Sequence, residues 1–230
     1  MDINRFIDHT LLKPDAGHSD IAKTCLEATE NRLYSVCVNS CWVSEVKKLL
    51  DGSDVKVCAV IGFPLGSMST KAKVLETEYA VIDGAVEIDM VINIGFLKSG
   101  LVDLVRYDIR EVAYMAHKHG AILKVIIETC LLTEEEKKLA CTIAVDAGAD
   151  FVKTSTGFST AGATINDVAL MRSVVGPSIG VKASGGVRSL SVAQSMIAAG
   201  ATRIGSSSGV QIMKEVSGVC SSSGASSGSY

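Results

Sequence analysis

The stretches ADFVKTST, residues 149–156, and IGVKASGG, residues 179–186, share one plan. Each is a short apolar run that carries a single lysine, Lys153 or Lys182, and closes at once on Ser, Thr or Gly. Apolar and β-branched residues bounded by turn formers read as a strand. Working outward, runs of the same kind lie at 34–39, 56–61, 86–93, 123–128 and 203–206, with a weaker one at 5–8. They start at intervals of about 20 to 35 residues, the size of a βα unit. Helical patterns fill the gaps. Residues 20–31 put Ile21, Cys25 and Leu26 on one face, and Thr133 with Glu136 forms a capping box ahead of Leu139, Ile143 and Val145. Residues 192–199 end at Gly200, a helix C-cap residue.

Eight such units predict an α/β chain folded as a single (β/α)8 TIM barrel over residues 1–216. A doubly wound open sheet shares the alternation and is the competing reading. Residues 217–230 are almost all Ser and Gly, a flexible tail by composition that ends in Tyr230. Composition agrees with buried parallel strands: the chain is 47% hydrophobic but only 5% aromatic, so its apolar mass is Val, Ile, Leu and Ala. The same figures exclude a disordered chain.

The net charge of −3 offers no basic footprint, so neither nucleic acid nor an anionic membrane is an expected partner. No apolar run approaches the roughly 18 residues of a membrane span, and MDINRFIDHT lacks the basic and apolar regions of a signal peptide. The seven cysteines are scattered, with Cys37 and Cys41 the closest pair, which predicts reduced thiols and a cytoplasmic protein. Neither G-x-x-x-x-G-K-[ST] nor G-x-G-x-x-G occurs, and His117 and His119 point to different faces of a helix. No cofactor and no metal are therefore expected. Cys37 reads as a buried structural thiol.

The anomaly is charge inside apolar strands. Lys153 and Lys182 sit at strand ends, Lys124 lies in LKVIIE, and Glu87 and Asp89 alternate in VEIDMV. Alternation puts Glu87 and Asp89 on one face, which in a barrel must be the interior, near its open end. Taken singly, each fits a solvated strand end or a structural ion pair; together, on several strands, they read as a site. An amine attacks a carbonyl only when neutral, whereas a free lysine has a pKa of about 10.4. A second cation or an apolar pocket lowers it, so two lysines with an acid suit Schiff-base chemistry in which a carboxylate such as Asp89 moves protons. Gly185–Gly186 and the Gly-Ser-Ser-Ser run at 205–208 expose backbone N–H groups, which suits a phosphorylated small-molecule substrate. An isomerase or epimerase using Glu87 or Asp89 as base, and a phosphometabolite-binding barrel without chemistry, remain alternatives.

The segments IDHTLLKP, GFPLGSMSTKAKVLE, EIDMVINIG, LKVIIET, FVKTSTGF, GVKASGGVR and RIGSSSG, in this order from Ile7 to Gly209, resemble the deoxyribose-phosphate aldolases. The resemblance implies a metal-independent class I aldolase on a (β/α)8 barrel. Such enzymes interconvert 2-deoxy-D-ribose 5-phosphate with D-glyceraldehyde 3-phosphate and acetaldehyde, and are commonly dimers or tetramers. It implies that Lys153 forms the Schiff base, that Lys182 depresses the pKa of Lys153 and relays protons, and that Asp89 shuttles protons with Lys182 and a water. Asp8 and Lys124 fall in the same charged cluster. Phosphate binding falls on Gly157, Gly185, Gly186, Ser207 and Ser208. Some relatives carry a basic residue after KTSTG where this chain has Phe158, and certain members end in a Ser-rich tail whose terminal Tyr reaches the site, as Tyr230 would.

Overall fold

The computed structural model describes residues 2–218. Eight parallel strands close into a barrel in sequential order: β1 (Ile7–Leu11), β2 (Ser35–Asn39), β3 (Lys56–Ile61), β4 (Glu87–Val91), β5 (Ile122–Ile126), β6 (Phe151–Lys153), β7 (Gly180–Ser184) and β8 (Arg203–Ser206). Closure of β8 onto β1 rules out the open sheet. Around it lie α1 (His18–Glu30), α2 (Val43–Leu49), α3 (Thr70–Ile82), α4 (Ile94–Lys98), α5 (Val102–Lys118), α6 (Glu134–Asp146), α7 (Ile165–Val175), α8 (Leu190–Ala198) and α9 (Gly209–Val216).

The strand alternation sorts side chains into two layers. Val36, Val38, Val57, Ala59, Ile61, Ile88, Met90, Leu123, Val125, Val152, Val181 and Ile204 are buried against the helices. Each of these side chains larger than Ala contributes about 1.5–3 kcal/mol of burial, so slipping β1, β4, β5, β6, β7 or β8 by one residue would exchange that gain for a charged side chain in the helix layer. That selection fixes which residues enter the barrel.

The weak first strand is the one misplaced by sequence pattern. Arg5 belongs to a 3-10 turn, Ile3–Phe6, and β1 begins at Ile7. The Thr133–Glu136 capping box forms as expected, with Glu136 N–H donating to Thr133 Oγ1 at 3.2 Å and Thr133 N–H to Glu136 Oε2 at 2.8 Å. Gly200 lies just beyond the C-cap residue Ala199, at φ 113°.

Candidate active site

Asp89 stands at the centre of the barrel. It is the middle residue of β4, fully buried, and one of its oxygens, Oδ2, is 2.8 Å from both Lys153 Nζ and Lys182 Nζ. Its other oxygen, Oδ1, takes Lys124 Nζ at 2.8 Å and the Cys58 thiol at 3.3 Å. Strand register makes this meeting inevitable: Asp89 pairs with Lys124 across β4–β5, and Lys153 with Lys182 across β6–β7. Below, Lys182 reaches Asp8 Oδ2 at 2.5 Å, Lys124 reaches Glu87 Oε2 at 2.6 Å, and Arg203 bridges Asp8 at 2.8 Å and Glu87 at 3.1 Å. The Ser35 hydroxyl donates to Asp8 Oδ1 at 2.7 Å.

The charges thus run deeper than the open end of the barrel, down to a floor where the Arg203 guanidinium lies 3.4 Å over the Tyr34 ring. Burying an ion costs several kcal/mol, so charges persist at this depth only because each meets a partner. Burial opposes ionisation of Asp89, but Lys124, Lys153 and Lys182 outweigh it and hold its carboxyl well below the usual range. The same competition, won by Lys182, Arg203 and Lys124, depresses Asp8. Burial disfavours the charged forms of Lys182 and Lys124 as well, yet Asp8 and Asp89 raise the first and Asp89 and Glu87 help raise the second. Lys182 and Lys124 are therefore fixed cations. Burial pushes the Cys58 thiol well up, so it meets Asp89 as an S–H donor.

Lys153 differs from its neighbours in connectivity. It has Asp89 as its carboxylate partner and shares that oxygen with Lys182, whereas Lys182 also pairs with Asp8 and Lys124 also with Glu87. Lys153 is the last residue of β6, at the barrel mouth. Four cations (Lys124, Lys153, Lys182, Arg203) face three anions (Asp8, Glu87, Asp89), so removing one proton from the cluster balances it. Beside Lys153 an apolar wall of Leu12, Cys37, Cys58 and Val60 is roofed by Phe63 and Phe158, whose rings meet edge to face at 5.3 Å. Cys37 and Cys58 lie with Asp89 close enough to hold a cation, but Asp89 is already committed to three ammonium groups, which makes the donor set unsuited to a metal.

A recess of about 290 Å³ opens beside this cluster, lined by Gly157, Phe158, Gly162, Gly185, Gly186 and Arg188, among others. Its shape depends on glycine. Gly185 and Gly186 adopt φ 84° and 80°, a region costly for any residue with a Cβ. A Cβ on Gly162 would stand 2.2 Å from the Gly185 carbonyl, because Ala163 N–H bonds to Ser184 and Gly185 there. On Gly205 a Cβ would meet Lys182 Cε at 3.0 Å.

The structure therefore brings Lys153, Lys182, Asp89, Asp8 and Lys124 into one cluster, and Gly157, Gly185 and Gly186 into one recess. Ser207 and Ser208 are not among the lining residues; they stand at the start of α9, one loop further on, where Ser206 Oγ donates to Val187 O and accepts from Ser208 N–H. Tyr230 lies outside the described residues. Sequence reading passed over Arg203, Arg188 and Glu128. Arg203 opens its strand, a position that is ordinarily solvated, although its alternation with Gly205 points it inward. Arg188 closes GVKASGGVR, where nothing in the local pattern marks it.

A closed barrel whose interior holds amines and carboxylates, with Lys153 at the C-terminal end of its strand, defines a class, the barrel enzymes that act from that face. Residues 5–216 match the family model described as DeoC/LacD family aldolase. The chain belongs to this family. It is 59% identical to a deoxyribose-phosphate aldolase of Brevibacillus brevis, over 93% of this chain and 96% of the relative. It is equally identical, 59% over 93% and 96%, to one of Thermococcus gammatolerans. Among solved structures, QR15, an aldolase, superposes with a TM-score of 0.91 at 44% identity, covering 95% of this chain and 97% of that one. A tetrameric deoxyribose phosphate aldolase from Aeropyrum pernix gives 0.88 at 33%, covering 95% and 92%.

Proposed function

We propose that this chain is a class I deoxyribose-phosphate aldolase in which Lys153 is the nucleophile. The observation that carries the reading is the single Asp89 oxygen bound by Lys153 and Lys182 together. Neutral Lys153 attacks C1 of the open-chain sugar, and the carbinolamine loses water to give an iminium. The C2–C3 bond then breaks as the C3 hydroxyl gives up its proton. Its electron pair passes into the iminium, leaving an enamine on Lys153 and releasing glyceraldehyde 3-phosphate. Protonation at C2 and hydrolysis release acetaldehyde and restore the amine.

Asp89 and Lys182 move the protons. While three ammonium groups surround it, Asp89 is a weak base. With Lys153 neutral, first as the free amine and then as the carbinolamine, one of those cations is gone, so Asp89 is more basic than in the fully charged cluster when a proton acceptor is needed. An isomerase using Glu87 or Asp89 as base is less well supported: Glu87 is tied to Lys124 and Arg203 on the floor, and Asp89 to three lysines.

The substrate phosphate occupies the glycine-lined recess, where Gly157, Gly185 and Gly186 offer backbone amides and Arg188 supplies the charge that Phe158 cannot. Ser207 and Ser208, just before α9 and one loop further on, do not line the recess and would meet the phosphate only from that flank. The test is release of acetaldehyde from 2-deoxyribose 5-phosphate, compared between the native protein and Arg188→Ala. The native protein should turn over, and the variant should show a KM raised about ten-fold, the loss of one charge-assisted hydrogen bond. No acetaldehyde from the native protein would refute the activity, and an unchanged KM would remove Arg188 from the phosphate site.

We also propose a homo-oligomer in a reducing, cytoplasmic setting. The described cysteines are all free thiols, and no described helix is long and apolar enough to cross a membrane. Leu75, Tyr79 and Ile82 form an exposed stripe on α3, which packs beside α5 with its exposed Tyr114. Large contiguous apolar exposure on a globular chain marks a contact surface. Sedimentation should give a dimer or tetramer that Tyr79→Glu drives toward monomer; a monomeric native protein would contradict this.

A further inference from the structure

Glu128 sits two residues beyond β5, nearly fully buried, with φ 56° and ψ 68°. Among described residues that are not glycine, only Arg32 shares this left-handed sign of φ. A side chain in that conformation is unfavourable unless its surroundings hold it there. What holds it is the loop that follows Lys153. Glu128 Oε2 accepts from Thr156 Oγ1 at 2.5 Å and from Thr156 N–H at 3.4 Å, while Oε1 accepts from the same N–H at 3.2 Å. Thr156 Oγ1 in turn accepts from Phe158 N–H at 3.0 Å, which closes the turn through Gly157.

The backbone on either side is laddered to the same loop: Ile127 N–H donates to Lys153 O and Thr129 N–H to Thr154 O. On the opposite flank Ser184 grips Thr154 and Ser155, its hydroxyl donating to Ser155 O at 2.7 Å. The segment that joins the nucleophile to the phosphate recess is therefore clamped from β7 through Ser184 and from β5 through Glu128. Glu128 is the side of the clamp that acts on Thr156 and Gly157, where the recess begins.

We infer that Glu128 is a positioning residue for recognition of the substrate phosphate: through Thr156 it sets the turn whose Gly157 and Phe158 form the recess wall, without touching substrate itself. The inference rests on the aldolase reading above. Its consequence is selective, because an unphosphorylated sugar uses Lys153 but not the recess. Glu128→Leu removes every acceptor, whereas Glu128→Gln keeps a carbonyl oxygen that can take the place of Oε2.

The experiment measures kcat/KM for 2-deoxyribose 5-phosphate and for 2-deoxyribose in native protein, Glu128→Leu, Glu128→Gln and Thr156→Val, with borohydride trapping of acetaldehyde as a parallel readout. The preference for the phosphorylated sugar should fall about ten-fold in Glu128→Leu and in Thr156→Val, mainly through KM, and return to within about three-fold of native in Glu128→Gln. Trapping on Lys153 should persist in all four. An equal loss on both sugars, or an unchanged preference in Glu128→Leu and Thr156→Val, would overturn the inference. If Glu128→Leu fails to fold, Thr156→Val alone decides by the same ratio. Absence of trapping in the native protein would instead overturn the aldolase reading on which it rests.

Discussion

Lys153→Ala is expected to lower turnover of 2-deoxyribose 5-phosphate by roughly four orders of magnitude or more, the scale seen when a covalent nucleophile is removed. The fold should survive. Lys153 has Asp89 as its carboxylate partner, and that carboxylate keeps Lys124 and Lys182 at 2.8 Å each when Lys153 is gone. The substitution also takes the surplus cation out of a cluster of four cations and three anions, so the barrel interior becomes electrically balanced. Thermal stability should therefore be unchanged or slightly raised while activity vanishes. Residual turnover within about a hundred-fold of native would show that the amine polarises the carbonyl rather than bonding to it.

Asp89→Asn has the second largest effect, and it should fall on stability and rate together. The replacement is nearly isosteric, but three ammonium groups then face a neutral amide in the buried barrel interior. Breaking a buried pair from one side costs about 3–5 kcal/mol, and loss of a positioned proton acceptor costs about two to four orders of magnitude in rate. A double substitution Asp89→Asn with Lys124→Met should recover part of the stability, because it reduces the excess of cations over the remaining carboxylates, and none of the rate. Denaturant melts and steady-state assays separate the two effects. Full recovery of rate in the double variant would mean that Asp89 serves only to neutralise charge. Native stability in Asp89→Asn would mean that the lysines do not depend on it.

The barrel was legible in the sequence because parallel strands covered on both faces leave a clear mark. Short Val- and Ile-rich runs recur at βα spacing, and seven of the eight fall within a few residues of their observed bounds. The first was displaced because Arg5 and Phe6 look like strand residues but are spent on the 3-10 turn that precedes β1. The charged cluster was legible for a related reason. Lys153, Lys182, Lys124 and Asp89 each break an apolar run, and a charge in a covered strand has nowhere to go but the barrel interior.

What stayed hidden depends on three-dimensional closure. Nothing local to Arg203 shows that β8 closes on β1 and so places its guanidinium between Asp8 and Glu87. Nothing local to Glu128 shows that its carboxylate folds back onto Thr156, because both the positive φ and the partner belong to the neighbouring loop. Arg188 is one basic residue in a turn until the β6 and β7 loops interlock at Gly162 and Gly185 to make a recess beside it.

Of the three lysines crowded on one carboxylate, Lys153 is the one expected to bond to the aldehyde. Incubating the native protein with acetaldehyde and sodium borohydride, then mapping peptides by mass, tests it directly. A single ethyl group, the reduced imine, is expected on Lys153 within FVKTSTGF. An adduct on Lys182 or Lys124 instead, or no adduct in protein that turns over substrate, would contradict it.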